Sequence, residues 1–106
     1  MNRDLKTILT ELRRRLESIY GKRLARMVLF GSRARSDAAE ESDIDVLVVL
    51  HGSVHPGKEI ARVGETTAAM SLEYDTVISC TFVSADRYST ERSPLLLNIR
   101  REGITV

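Results

Sequence analysis

Val46-Leu47-Val48-Val49-Leu50 restricts the fold of this chain more than any other stretch. Five consecutive apolar residues leave no polar face, so they read as a central strand covered on both sides. The run opens with Asp43-Ile44-Asp45. Side chains alternate across a strand, so the two carboxylates share one face. Upstream, Leu24–Phe30 reads as another strand and ends in Gly31-Ser32, ten residues before Asp43.

These two features suit chemistry on a nucleoside triphosphate. Mg²⁺ is a hard cation that prefers one or two carboxylates together with substrate phosphates. A pair of such ions, roughly 3.5–4 Å apart, can clamp both oxygens of an in-line displacement. Asp43 and Asp45 can converge on such a site, and a third carboxylate usually completes it. Gly31 lets the backbone turn tightly and approach an anion. Ser32 offers a hydroxyl and an N–H at an expected helix start, and Arg33 and Arg35 can add charge-assisted bonds to phosphate. An ordinary turn followed by two strand-start aspartates is the bland alternative, disfavoured by the strand context on both sides.

The remaining chain supplies helices for both faces of a short mixed sheet. Leu5, Ile8, Leu9, Leu12, Leu16, Ile19 and Tyr20 make Asn2–Tyr20 an amphipathic helix, with Arg13-Arg14-Arg15 on its solvated side. His51–Gly57 is a loop. Lys58–Leu72 is expected to be helical, with Ile60, Val63, Thr67, Met70 and Tyr74 inward. Asp75–Val83 reads as a third strand. Ser84 is an expected N-cap for a short turn through Tyr88. Ser93-Pro94 starts a helix that stops at Gly103, and Ile104–Val106 can add an edge strand.

With 106 residues and 42% apolar content, one domain with a modest core is expected. So small a domain has little room for a catalytic centre and a full substrate lobe, so a partner or second copy is expected to complete the site. The net charge of +1 gives no strong nucleic-acid or membrane signal. No apolar run approaches the ~18 residues of a membrane span, and the N-terminus lacks a signal-peptide core. A lone cysteine, Cys80, excludes an intrachain disulfide and fits a cytoplasmic setting; it reads as a buried small residue.

Gly31-Ser32 followed at that spacing by Asp43-x-Asp45, in the flanks LFGSRAR and SDIDVLVV, resembles the signature of the DNA polymerase β-like nucleotidyltransferases, in particular their minimal nucleotidyltransferase branch. The resemblance covers nearly the whole chain. It implies an α/β fold of the polymerase β palm type, ATP as substrate, Gly31 and Ser32 on the triphosphate, and Asp43 and Asp45 on Mg²⁺. It also implies a third acidic residue on a later strand. Asp75 is the best match and Glu73 the runner-up. Many members of that branch are antitoxins that move AMP from ATP to a tyrosine of a HEPN-domain toxin, which implies a partner of that kind here.

Other signals are weaker. Gly52–Lys58 resembles part of a P-loop, but Glu59 replaces the metal-binding hydroxyl and Pro56 removes an N–H from the phosphate nest. His51 and His55 share that loop and lack the helix that would bring them onto one metal. Tyr20, Tyr74 and Tyr88 read as core or interface residues. Two alternatives stand beside the enzyme: an antitoxin acting by occlusion, and a nucleotidyltransferase for a small molecule or RNA.

Overall fold

The helical spacing of α1, Arg3–Tyr20, places Leu5, Ile8, Leu9, Leu12, Leu16 and Tyr20 on one buried face. The computed structural model describes residues 3–34 and 43–106; Arg35 lies outside them. The solvated side of α1 is laced with ion pairs. Arg14 and Arg15 both reach Glu11, and Arg13 reaches Glu17 at 2.9 Å. The arginine run is therefore spent on neighbours within its own helix, apart from Arg13 donating to the Val106 carbonyl and Arg15 approaching Glu73 at 3.7 Å.

After α1 come β1 (Leu24–Phe30), β2 (Ile44–Leu50), α2 (Pro56–Tyr74), β3 (Ile78–Ser84), α3 (Ala85–Thr90), α4 (Pro94–Glu102) and β4 (Ile104–Thr105). The sheet order is β3-β2-β1-β4. β1 is antiparallel to β2 and β4, whereas β2 and β3 are parallel, which requires the crossover that α2 provides. This is a mixed sheet flanked by helices, an α/β architecture.

β2 is covered on both faces, as its sequence dictates. Ile44, Val46, Val48 and Leu50 join Met27, Leu29, Ile78 and Phe82 beneath α1 and α2. Leu47 and Val49 turn the other way and pack with Val28, Val83, Leu96 and Ile99 beneath α4. Ser84 Oγ accepts the Arg87 N–H at 3.2 Å, and Ser93 Oγ accepts the Leu96 N–H at 3.3 Å, so both expected caps form. Arg100 donates to the Tyr88 and Glu91 carbonyls at 2.5 and 2.6 Å, tying the end of α3 to α4. Among the described residues, no helix is long and apolar enough to cross a membrane.

Two expectations are corrected around α2. The helix is longer at both ends than Lys58–Leu72, because Pro56 serves as its first residue and it continues to Tyr74. Ile60 faces solvent, 56% exposed, and Glu59 occupies the inward position at 2%. Glu59 tolerates burial because it accepts the Tyr20 hydroxyl at 2.9 Å and lies 3.3 Å from Arg62. Burial first, and then Glu59, push the Tyr20 phenol above its ordinary value, so it stays protonated and donates. The guanidinium groups of Arg23 and Arg62 lie 5.8 Å from the Tyr20 ring centre. Glu59→Ala is expected to destabilise the chain by about 2–3 kcal/mol and Tyr20→Phe by about 1 kcal/mol, read by urea denaturation. Equal losses would mean that the hydroxyl–carboxylate bond accounts for the whole effect.

The third strand begins at Ile78, not Asp75. Asp75 instead ends α2 in a left-handed conformation, φ 49°, with its N–H on the Ser71 carbonyl. The Ser71 hydroxyl then accepts the Ile78 N–H at 3.3 Å, which spaces the strand from the helix.

Candidate functional site

Antiparallel register sets Phe30, the last residue of β1, opposite Asp45 near the start of β2. The chain then leaves the sheet at Gly31 with φ 73°, a conformation that side-chain-bearing residues rarely adopt. A Cβ at Gly31 would stand 2.6 Å from Asp45 Oδ2. Glycine is therefore required twice over, by backbone conformation and by the carboxylate against it. The Ala34 N–H returns to the Gly31 carbonyl at 3.1 Å and closes a 3₁₀ turn, Ser32–Ala34, in which Ser32 and Arg33 are half-buried.

Asp43 and Asp45 alternate with Ile44, which is fully buried beneath α1 and α2. Both carboxylates thus belong to the opposite face, the one on which Leu47 and Val49 meet α4 further along β2. The Ile44 N–H bonds the Val77 carbonyl at 2.8 Å and anchors this end of β2 to the approach of β3. Asp43 is exposed and Asp45 half-buried. Burial, and then the charge on Asp43, hold the Asp45 carboxyl above its ordinary value.

Asp75 does not join this pair. Among the described residues, no group of three or more His, Cys, Asp or Glu is arranged to hold a metal ion. Glu73 lies on α2 and approaches Arg15. The β3 residue in register with Asp45 is Ser79, which alternates with buried Ile78 and therefore shares the Asp45 face, as does Thr81. The exposed Ser79 hydroxyl thus neighbours Asp45 on that side, and exposed Thr81 lies one step further along the same face, beside Leu47. The sequence carries the signal for this in the alternation of ISCTFV, which becomes legible only once strand register is known. Asp75→Asn is expected to change AMP transfer by less than about twofold, since Asn accepts the left-handed conformation too. A loss of 10²-fold or more in a steady-state assay would return Asp75 to the site.

A cleft of about 240 Å³ adjoins Gly31, between the Gly31 turn and α4. A more voluminous concavity, about 700 Å³, lies elsewhere, between α1 and β4, where the Glu17 side chain is already paired with Arg13. The Gly52–Lys58 loop follows β2 at the end of the strand remote from Asp45, and Arg23 holds it through the His51 and Ser53 carbonyls. Cys80 is half-buried against the core, and burial pushes its thiol up to about 12, which leaves it protonated at neutral pH.

Residues 6–94 match the model of a family described as nucleotidyltransferase domain. The chain is 38% identical over 72 residues to "Putative protein adenylyltransferase MJ0141" of Methanocaldococcus jannaschii, covering 68% of this chain and 72% of the relative. A second protein of that description from the same organism, MJ0604, is 36% identical over 74 residues, covering 70% of this chain and 68% of that one. In three dimensions, a crystal structure of a mutant MntA-HpeT toxin-antitoxin pair aligns with a TM-score of 0.63 at 14% identity, over 91% of this chain and 69% of that one. The last likeness is one of fold.

Proposed function

This chain belongs to the nucleotidyltransferase domain family, and from that premise we propose that it moves AMP from ATP to a hydroxyl group of a partner protein. The observation that carries the reading is the apposition of Gly31 and Asp45, a side-chain-free turn set directly against one of two carboxylates on a shared face. The names of the two relatives support protein as the acceptor class.

The donor set fits Mg²⁺. Both groups are hard oxygen donors, and a cation between them would offset the like-charge repulsion that contributes to raising Asp45. When bound there, Mg²⁺ supplies stabilisation of negative charge on the reacting phosphate. Asp43 and Asp45 are the residues that would hold it. Gly31 admits the phosphate chain close to the backbone, and Ser32 and Arg33 offer donors to the β- and γ-phosphates. The acceptor oxygen bonds to the α-phosphorus, the bond to the bridging oxygen breaks, pyrophosphate leaves, and the acceptor's proton passes to solvent water. On β3 it is Ser79 that stands beside Asp45, and among the described residues no third carboxylate joins the pair.

The acceptor we assign is a tyrosine on a HEPN-type toxin, following the antitoxins that the sequence resembles; the toxin-antitoxin fold neighbour agrees with such a role. Incubation with ATP, Mg²⁺ and that partner should add AMP units to it, seen by intact-mass spectrometry. Asp43→Asn should abolish the added mass. Equal neutralisation of the partner by wild type and Asp43→Asn, with no mass added, would make occlusion the better account.

A further inference from the structure

We infer that the outer edge of β3 and the adjoining flank of α2 pair with a second copy of this chain, joining two four-stranded sheets into one continuous sheet. β3 ends the sheet, so one of its edges has no strand beside it. The Ile44 N–H bonds the Val77 carbonyl, which turns the backbone groups of Ser79, Thr81 and Val83 toward β2 and those of Ile78, Cys80 and Phe82 outward. The Ser71 hydroxyl takes the Ile78 N–H. Among the described residues, nothing bonds the outward N–H and C=O groups of Cys80 and Phe82. Proteins that keep such an edge unpaired blunt it with lysine, proline or a bulge. Ile78–Ser84 holds none of these, and its register with β2 is unbroken.

The α2 flank over that edge suits close approach. Ser71 marks which flank it is, since its hydroxyl reaches Ile78. Ile60, Gly64, Thr67 and Ala68 share that side at helical spacing, and none carries charge. Arg62 and Glu73 lie on the flank toward α1, where they meet Tyr20 and Arg15. Lys58 and Glu65 lie on the outer face, roughly a third of a turn from Ser71. Gly64 stands in mid-helix, where glycine is unfavourable. A Cβ there would meet nothing within 4 Å, so no contact inside the chain calls for glycine. Ile60 is apolar and 56% exposed on the same side. A second helix laid against this flank accounts for both residues.

A second copy is the occupant that fits. A twofold contact sets a surface against itself, so a charge close to the axis would meet its own like, and this flank carries none there. With antiparallel pairing centred on Thr81, Cys80 and Phe82 of one copy exchange both backbone bonds with Phe82 and Cys80 of the other. Thr81 then faces its own counterpart, a favourable cross-strand pair, and Ser79 falls opposite Val83. The two α2 helices run antiparallel over one face of the joined sheet, with Gly64 and Ala68 letting them close. The Asp45 side chains belong to the other face, so both Gly31–Asp45 sites stay uncovered. An acceptor protein has to reach that other face, which is why the edge is assigned to a second copy and not to it.

Sedimentation velocity and cross-linking on the full chain test the assignment. Wild type should form dimers at micromolar concentration. Gly64→Arg sets like charges near the axis and has no neighbour in its own chain to disturb. It should keep the far-UV circular dichroism of wild type and weaken the dimer about 100-fold or more. Thr81→Cys in a Cys80→Ala background should form a disulfide between copies under mild oxidation. Opposed residues of such a non-hydrogen-bonded pair stand roughly 4.5 Å apart at Cα, within disulfide reach. Ser79→Cys in the same background should not cross-link, because Val83 lies opposite it. A monomeric wild type, a dimer unmoved by Gly64→Arg, or cross-linking at position 79 and not at 81 would overturn the pairing. A monomeric wild type whose Gly64→Arg variant no longer binds the acceptor protein would give this flank to that protein instead.

Discussion

Asp45→Asn should lower AMP transfer by about 10³-fold and, in the absence of metal, make the protein more stable. The two effects have one cause. Asp45 is half-buried at the start of β2, pressed against Gly31 and close enough to Asp43 for that charge to raise its carboxyl. Its native form therefore holds the proton more tightly than the unfolded chain, whose ordinary value is 3.8. Wild-type stability should fall as pH rises from that value through the raised native one, and the loss is complete above it. An amide has no charge to desolvate, so Asp45→Asn escapes the loss. A like-charge pair of this exposure is worth about 0.5 kcal/mol, roughly 2–4 °C in melting temperature for a domain of this size. Differential scanning calorimetry from pH 3 to 7 without divalent ions would show the two proteins converging at the acid end. Added Mg²⁺ should stabilise wild type and not the variant. A variant that melts lower at pH 7, or transfers AMP at the wild-type rate, would show that the pair is not a metal-binding centre.

Much of this site can be read in the sequence because it is local. Leu24–Phe30 forms the strand that its composition predicts, and the alternation in Asp43-Ile44-Asp45 places both carboxylates opposite a buried isoleucine. What could not be read depends on non-local pairing. Apolarity alone made Ile60 an inward residue, yet α2 turns Glu59 toward the core because Tyr20, 39 positions earlier, supplies the hydrogen bond that makes burial tolerable. Asp75 carries the right functional group in the right segment. Its role at the end of α2 follows from the Ser71 carbonyl taking its N–H, a helix-capping choice that competes with strand propensity in EYDTVIS. The α4 cleft exists only because the helix after Ser93 returns to the end of β1, and no spacing in the sequence announces that return.

Gly31→Val should reduce ATP affinity by about 10²-fold or more and also cost stability, and the two losses can be separated. A branched side chain at φ 73° is strained before any neighbour is considered, at about 1–3 kcal/mol. Its Cβ would also meet Asp45 Oδ2 at 2.6 Å, so the carboxylate must move off the position it shares with the turn. Gly31→Ala imposes the same first contact with less bulk and should show the same direction of change at smaller size. The decisive comparison is the double variant Gly31→Ala with Asp45→Gly. Removing the carboxylate relieves the clash and leaves the backbone strain, so this protein should recover part of the stability lost in Gly31→Ala alone. It should recover none of the Mg²⁺-ATP binding, because the relief has been obtained by deleting a proposed ligand. Urea denaturation reads the first quantity and calorimetry with Mg²⁺-ATP the second. Coupling of more than about 0.5 kcal/mol between the two positions is what contact predicts, and simple additivity would place Asp45 away from the turn. If Gly31→Val folds and binds Mg²⁺-ATP as wild type does, the phosphate cradle lies elsewhere, and the Gly52–Lys58 loop at the far end of β2 becomes the segment to examine.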